Sequence, residues 1–121
     1  GDRITVSACT QLAKARLFIN EADKLAVHES QVFSRLVQSA ELRRTGADCY
    51  PHALVARGLV DAVVDYDLKP YDYLPVSAVV DAAGGIMTDW QGKPLTLQSD
   101  GRTLTAATPH LHAQLIDLVN S

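Results

Sequence analysis

The chain has 121 residues, 47% of them hydrophobic, and a formal net charge of -3. This is the size and composition of one ordinary domain with a real core, which excludes a disordered chain. The negative balance argues against nucleic acid as a partner, since phosphate-backbone binding needs a basic surface. No apolar run reaches membrane-spanning length and the first residues carry no signal-peptide pattern, so no membrane partner is expected. Cys9 and Cys49 form neither a metal-type spacing nor a disulfide framework, which fits a reducing, cytoplasmic setting.

In chain order, Arg3 to Ser7 alternates, with Ile4 and Val6 on one side and Thr5 and Ser7 on the other, and predicts a half-buried strand. Ala15 to Asn20 is a second strand, its Leu17-Phe18-Ile19 too continuous for a sheet face open to water. Ser30 to Ala40 has Val32, Phe33, Leu36 and Val37 at helical spacing. Glu41 to Thr45 predicts a short strand, and Asp48 to Arg57 a helix stopped by Gly58. Asp61 to Tyr66 is a strand, Tyr73 to Ala83 a helix ended by Gly84-Gly85, and Ile86 to Asp89 a strand. Turns at Gln91-Gly92 and Ser99-Asp100-Gly101 lead to a strand from Leu104 to Ala107. Pro109 opens the last helix, with Leu111, Leu115, Ile116 and Val119 on its buried stripe. Strands alternating with helices predict an α/β fold, a mostly parallel sheet with helices on both faces.

The most informative stretch runs from Asp65 to Trp90. Pro70 pushes Lys69 out of the helical region. Asp72 then stands where an N-cap belongs, ahead of the periodic Leu74, Val76, Val79, Val80 and Ala83, with Pro75 in the first turn. An acidic side chain there reads either as a cap or as a metal ligand beside a helix end that attracts phosphate. Asp48-Cys49-Tyr50-Pro51 repeats the spacing of Asp72-Tyr73-Leu74-Pro75, and each follows a strand. Two such helix starts facing one crevice beyond the carboxyl ends of strands would make an anion site; two independent caps are the plainer reading.

Tyr71-Asp72, the small-residue helix after it and Ala83-Gly84-Gly85 resemble the carboxyl-terminal signature of the inositol monophosphatase family, with Tyr71 in place of Trp. The strings Leu68-Lys-Pro-Tyr-Asp-Tyr-Leu74 and Thr88-Asp-Trp-Gln-Gly-Lys-Pro-Leu95 are most similar to its histidinol-phosphate phosphatase branch. The resemblance implies a Mg²⁺-dependent phosphomonoesterase. Its Glu-Glu and Asp-Pro-x-Asp-Gly-Thr motifs supply most metal ligands and are absent here. It therefore implies the C-terminal half of an enzyme, inactive alone, with no catalytic residue of its own. Residues 1–14 would be a strand and connector from a missing N-terminal domain, and 15–121 the C-terminal α/β domain.

Carried over residue by residue, Asp72 is a metal ligand, and Asp65 matches the acidic residue that holds a substrate hydroxyl or amine. The branch usually has Glu at that place, one methylene longer. Asp48 matches an acidic residue of the branch's Gly-Asp-Cys-Tyr strings; Gly46 and Ala47 before it, and Arg43, complete the substrate-binding set. Arg43 also reads as a solvated strand-end charge. Pro51-His52 departs from the branch's Ala-Tyr. Two carboxylates would suit a cationic substrate such as histidinol phosphate. A small phosphorylated metabolite is the expected partner, and the full-length protein a homodimer. The alternatives are an inositol-1-monophosphatase, another sugar or nucleotide phosphatase of the family, or a non-catalytic α/β module. Outside this set, His110 and His112 predict a surface pair, His28 a solvated side chain and Trp90 core or a packing lid. Asp61, Asp65 and Asp67 have a plain reading as exposed turn residues.

Overall fold

The computed structural model describes residues 4–40, 42–46 and 50–121. Five strands form one sheet: β1 Arg16–Asn20, β2 Leu42–Gly46, β3 Ala62–Asp65, β4 Ile86–Asp89 and β5 Thr103–Ala106. Their spatial order is β2-β1-β3-β5-β4. β1 pairs in parallel with β2 and β3, and β5 pairs antiparallel with β3 and β4, so β1 to β4 share one direction and β5 opposes them.

Helices cover both faces, which is why β3 and β5 are buried at every position. On one face Leu17, Ile19, Ala62, Val64, Leu104 and Ala106 pack against Val32 and Leu36 of α2 (Ser30–Ser39) and Leu111, Leu115 and Val119 of α5 (Pro109–Val119). Leu25 of α1 (Ala22–His28) joins them. On the other face Val63 packs with Val55 of α3 (Tyr50–Ala56) and with Val60 and Ala107. Tyr73, Val80 and Ala83 of α4 (Pro70–Ala82) and its end pack there with Ala56 and Met87.

Three expectations change. The chain from Ile4 through Gln11 has no regular structure. Its backbone and hydroxyls are tied instead to helix ends and strand starts. Val6 N–H donates to Ala83 O (3.2 Å), Ser7 Oγ to Asp61 Oδ1 (2.5 Å) and Thr108 Oγ1 to Cys9 O (2.6 Å). With no ladder to join, the alternation of Ile4 and Val6 does not become a strand; Arg3 lies outside the described residues.

Second, α4 begins at Pro70, not Tyr73, with extended Lys69 as its N-cap. Proline presets the dihedral of a first helical residue, so the helix starts as soon as the ring permits. Asp72 is therefore in the first turn, not at the cap, and its Oδ2 accepts from Lys69 N–H at 2.9 Å. Pro75 consequently falls inside the helix. The buried stripe is Tyr73, Val80 and Ala83 with Val76 partly buried, while Val79 is 48% exposed.

Third, α1 has no counterpart in the sequence reading. It buries only Leu25, so it shows almost no apolar periodicity.

Candidate functional site

At the end of the sheet where β1 to β4 finish, each strand contributes one residue to a single row. Gly46 is paired with Asn20, Asp65 with Thr103, and Thr103 with Asp89. Asn20 Nδ2 donates to Asp65 Oδ2 at 2.8 Å, which closes the gap between β1 and β3. Strand side chains alternate, so this row lies on the face of Val63 and Thr105, beneath α3 and α4. Carboxyl ends of parallel strands are where open α/β sheets bind ligands.

Asp65 is the centre of the row and is 1% exposed. Oδ2 accepts from Asn20 and lies 2.7 Å from Nε2 of His52, while Oδ1 accepts from Tyr66 N–H at 2.8 Å. His52 is fully buried, and its Nδ1 lies 2.7 Å from Thr105 Oγ1. A neutral ring satisfies both partners in one tautomer: Nε2–H donates to the carboxylate and Nδ1 accepts the Thr105 hydroxyl. Thr103 Oγ1, buried in the same row, has no partner among the described residues. Gly46 is needed for close approach, since a Cβ there would come within 2.9 Å of Asn20 Oδ1.

The loop between β3 and α4 is pinned from two sides. Asp67 stands at φ 62, and its Oδ2 accepts from Lys24 Nζ of α1 at 2.7 Å. The Lys24 hydrogen bond and charge, aided by Lys69, hold the Asp67 carboxyl below its ordinary range. Leu68 N–H donates to Gly101 O at 3.0 Å, and Gly101 sits at φ 87 against Leu68.

At the opposite end of β3, Asp61 is buried rather than an exposed turn residue. Its carboxylate takes Arg16 N–H (2.7 Å), Arg16 Nε (3.1 Å), Arg16 Nη2 (3.0 Å) and Ser7 Oγ (2.5 Å). Burial pushes its pKa up, but these donors and the guanidinium charge outweigh that and hold it below the usual carboxylate value. His112 is half-buried, not a surface residue: its Nε2 meets Thr88 Oγ1 at 2.7 Å, and burial pushes its pKa down. Trp90 is core, 2% exposed, with Arg102 over its ring at 4.9 Å. His28 is exposed at the end of α1 and stacks on Tyr66.

Of the residues singled out from sequence, the structure brings Asp65 and Gly46 into one row. Asp72 is half-exposed in the first turn of α4. Arg43 does not join them. Its register partner is Leu17, on the opposite face, and its exposed side chain donates to Ala40 O at 3.1 Å. Ala47 and Asp48 lie outside the described residues. Asn20, Thr105 and Thr103 escaped the sequence reading, and His52 registered only as a departure from a pattern. The available signal for Asn20 was a polar residue closing the apolar run Leu17-Phe18-Ile19.

Mg²⁺ takes a near-octahedral shell of oxygens. Among the described residues no three His, Cys, Asp or Glu side chains are grouped to hold a metal. Asp72 can contribute one carboxylate, one oxygen of which already accepts the Lys69 N–H. The described residues do not build a metal centre by themselves.

A chloroplastic bifunctional phosphatase, IMPL2, of Arabidopsis thaliana is 37% identical over 93 residues, covering 77% of this chain and 27% of that protein. A histidinol-phosphatase of Chlorobaculum parvum is 30% identical across 100% of this chain and 46% of its own length. Among solved structures, an inositol monophosphatase from Zymomonas mobilis superposes with a TM-score of 0.90 at 30% identity, covering 98% of this chain and 47% of that one. The chain thus spans about half, or less, of the proteins it matches. The profile of the inositol monophosphatase family matches residues 1–121, and the chain belongs to that family.

Proposed function

We propose that this chain supplies the carboxyl-terminal half of a Mg²⁺-dependent phosphomonoesterase whose substrate is histidinol phosphate. The observation that carries the reading is Asp65, a buried carboxylate at the carboxyl end of β3 whose Oδ1 accepts only the Tyr66 N–H among the described residues. A carboxylate oxygen has room for a second donor. In a desolvated site a substrate ammonium is the donor that gains most from it. The similarity to a histidinol-phosphatase over the whole chain supports the same substrate. Asp72 would give one oxygen to Mg²⁺, and Asp48, with Gly46 and Ala47, would face the substrate.

The runner-up is an inositol monophosphate substrate, favoured by the superposition on the Zymomonas mobilis inositol monophosphatase. There Asp65 would accept a hydroxyl instead. The chain by itself should be inactive, because one carboxylate cannot hold the metals that activate water and stabilise a leaving oxygen.

The test is kcat/KM in the complete enzyme for histidinol phosphate and for a phosphate ester without an amine. Asp48→Asn and Asp65→Asn should each cost histidinol phosphate about 1.5–3 kcal/mol, the weight of a hydrogen bond to a charged group. The neutral ester should be affected less. Asp72→Asn should depress both substrates together and weaken the Mg²⁺ dependence. Equal losses for both substrates in the Asp48 and Asp65 variants would remove the ammonium reading.

A further inference from the structure

We propose that His52 is the positioning residue that decides which oxygen of Asp65 is offered to the substrate. The inference rests on the reading that Asp65 receives an ammonium group, and it deepens that reading. Asp65 ends a strand, and its side chain could turn either oxygen inward. Two donors from different elements meet on the same oxygen: Asn20 Nδ2 from β1 at 2.8 Å and His52 Nε2 from α3 at 2.7 Å, both on Oδ2. Oδ2 is thereby saturated, since a carboxylate oxygen takes about two good donors. Oδ1 has only the adjacent Tyr66 N–H among the described residues. Among the described residues the one remaining acceptor position of the carboxylate is therefore on Oδ1.

The imidazole itself is held from behind. Thr105 Oγ1 on β5 sits 2.7 Å from Nδ1 and Asp65 Oδ2 sits 2.7 Å from Nε2; the carboxylate, which only accepts, requires the Nε2–H tautomer, and the Thr105 hydroxyl, which can donate, holds the ring at Nδ1. His52, Thr105 and Asp65 are all buried to 1% exposure or less, so water does not compete for these bonds. The ring is thus held between Thr105 and Asp65, and its Nε2–H occupies Oδ2. Nothing in the arrangement needs His52 to touch the substrate.

The test separates positioning from bulk structure. In the complete enzyme, the readout is the ratio of kcat/KM for histidinol phosphate to that for a phosphate ester lacking an amine. His52→Leu keeps an apolar filler but removes the donor. The ratio should fall about tenfold, the effect of one such bond, and it should fall through KM. His52→Gln presents an amide N–H at similar reach and should restore the ratio to within about threefold. Equal losses on both substrates, or failure of Gln to do better than Leu, would overturn the proposal. ¹⁵N-histidine spectra of the wild-type enzyme give a reading free of activity: Nε2 protonated and Nδ1 an acceptor. The opposite tautomer would overturn it, as it would if His52→Leu does not fold. If Asp65→Asn leaves the ratio unchanged, the reading of Asp65 itself fails. If Asp65→Asn lowers it and His52→Leu does not, only the role of His52 fails.

Discussion

Thr103 and Thr105 lie two residues apart on β5, share a sheet face and are both 0% exposed, yet their hydroxyls are in opposite situations. Thr105 Oγ1 bonds His52 Nδ1 at 2.7 Å; Thr103 Oγ1 has no partner among the described residues. Valine replaces threonine with almost no change of shape, so each substitution reports the hydroxyl alone. In Thr105→Val a buried ring nitrogen loses its partner, which costs about 1–3 kcal/mol. For a domain of this size that lowers Tm by about 3–6 °C per kcal/mol. Thr103→Val instead removes an unsatisfied hydroxyl and buries a methyl, and should raise stability by up to about 1 kcal/mol. Urea unfolding followed by fluorescence measures both, because the single Trp90 is buried beside β5 and its Nε1 donates to Thr103 O. Opposite signs are expected. Equal destabilisation of the two variants would mean that the Thr103 hydroxyl is as well bonded as that of Thr105, and the reasoning from the pair would fail.

At the other end of β3, Asp61→Asn should cost about 1.5 kcal/mol at pH 7, the low end for a bond to a charged group, because Arg16 keeps 43% of its side chain in water to solvate it. The folded carboxyl titrates below its unfolded value, so this stabilisation is complete above about pH 5 and is lost as pH falls through the folded pKa. Urea midpoints of wild type and variant should therefore converge as pH falls below the ordinary carboxylate value of about 4; a constant gap would contradict the assignment. Gly101→Ala should destabilise by at least about 2 kcal/mol, since it forces a side chain to φ 87 with its Cβ 2.5 Å from Leu68 O. A thermal midpoint within a degree of wild type would show that this approach is not a constraint.

Much of the fold was legible because its signals are short-range. The continuous Leu17-Phe18-Ile19 run predicts a strand, and β1 is one, with Leu17 and Ile19 buried on one face and Phe18 only partly covered on the other. Pro109 opens α5 at its first residue, with the Thr108 hydroxyl accepting Leu111 N–H. Of what failed, the Asp72 cap was a local error and the rest depended on partners far along the chain. Ile4 and Val6 alternate like a strand, but alternation does not supply a ladder. Asp72 is spaced like a cap, yet Pro70 claims the helix start. The burial of His52 follows from β5 lying beside β3, a pairing of residues 62–65 with 103–106 that no local pattern encodes. For the same reason Asp61 and Asp65 look alike in sequence, two acids bracketing one apolar strand.

The structure separates those two acids by the kind of partner each receives. Asp61 faces a guanidinium, so its charge is matched and its place is in the fold. Asp65 receives an amide, an imidazole and a backbone N–H, and no Lys or Arg pairs with it among the described residues. A buried carboxylate held only by such donors is costly to keep, and cost of this kind is tolerated where a site needs the charge. The two substitutions to asparagine should therefore dissociate. Asp65→Asn can keep its bonds if its oxygen stays on the Tyr66 N–H, His52 switches tautomer so that Nδ1–H donates to Thr105, and the Asn20 amide turns over to present its oxygen, so unfolding free energy should move by less than about 1 kcal/mol. Discrimination for an amine-bearing phosphate ester should nevertheless collapse. Asp61→Asn should lower stability and leave discrimination intact. Measuring both variants by urea titration and by the ratio of kcat/KM on the two substrates decides the matter. If Asp65→Asn is the variant that unfolds and keeps its discrimination, Asp65 is a structural carboxylate like Asp61.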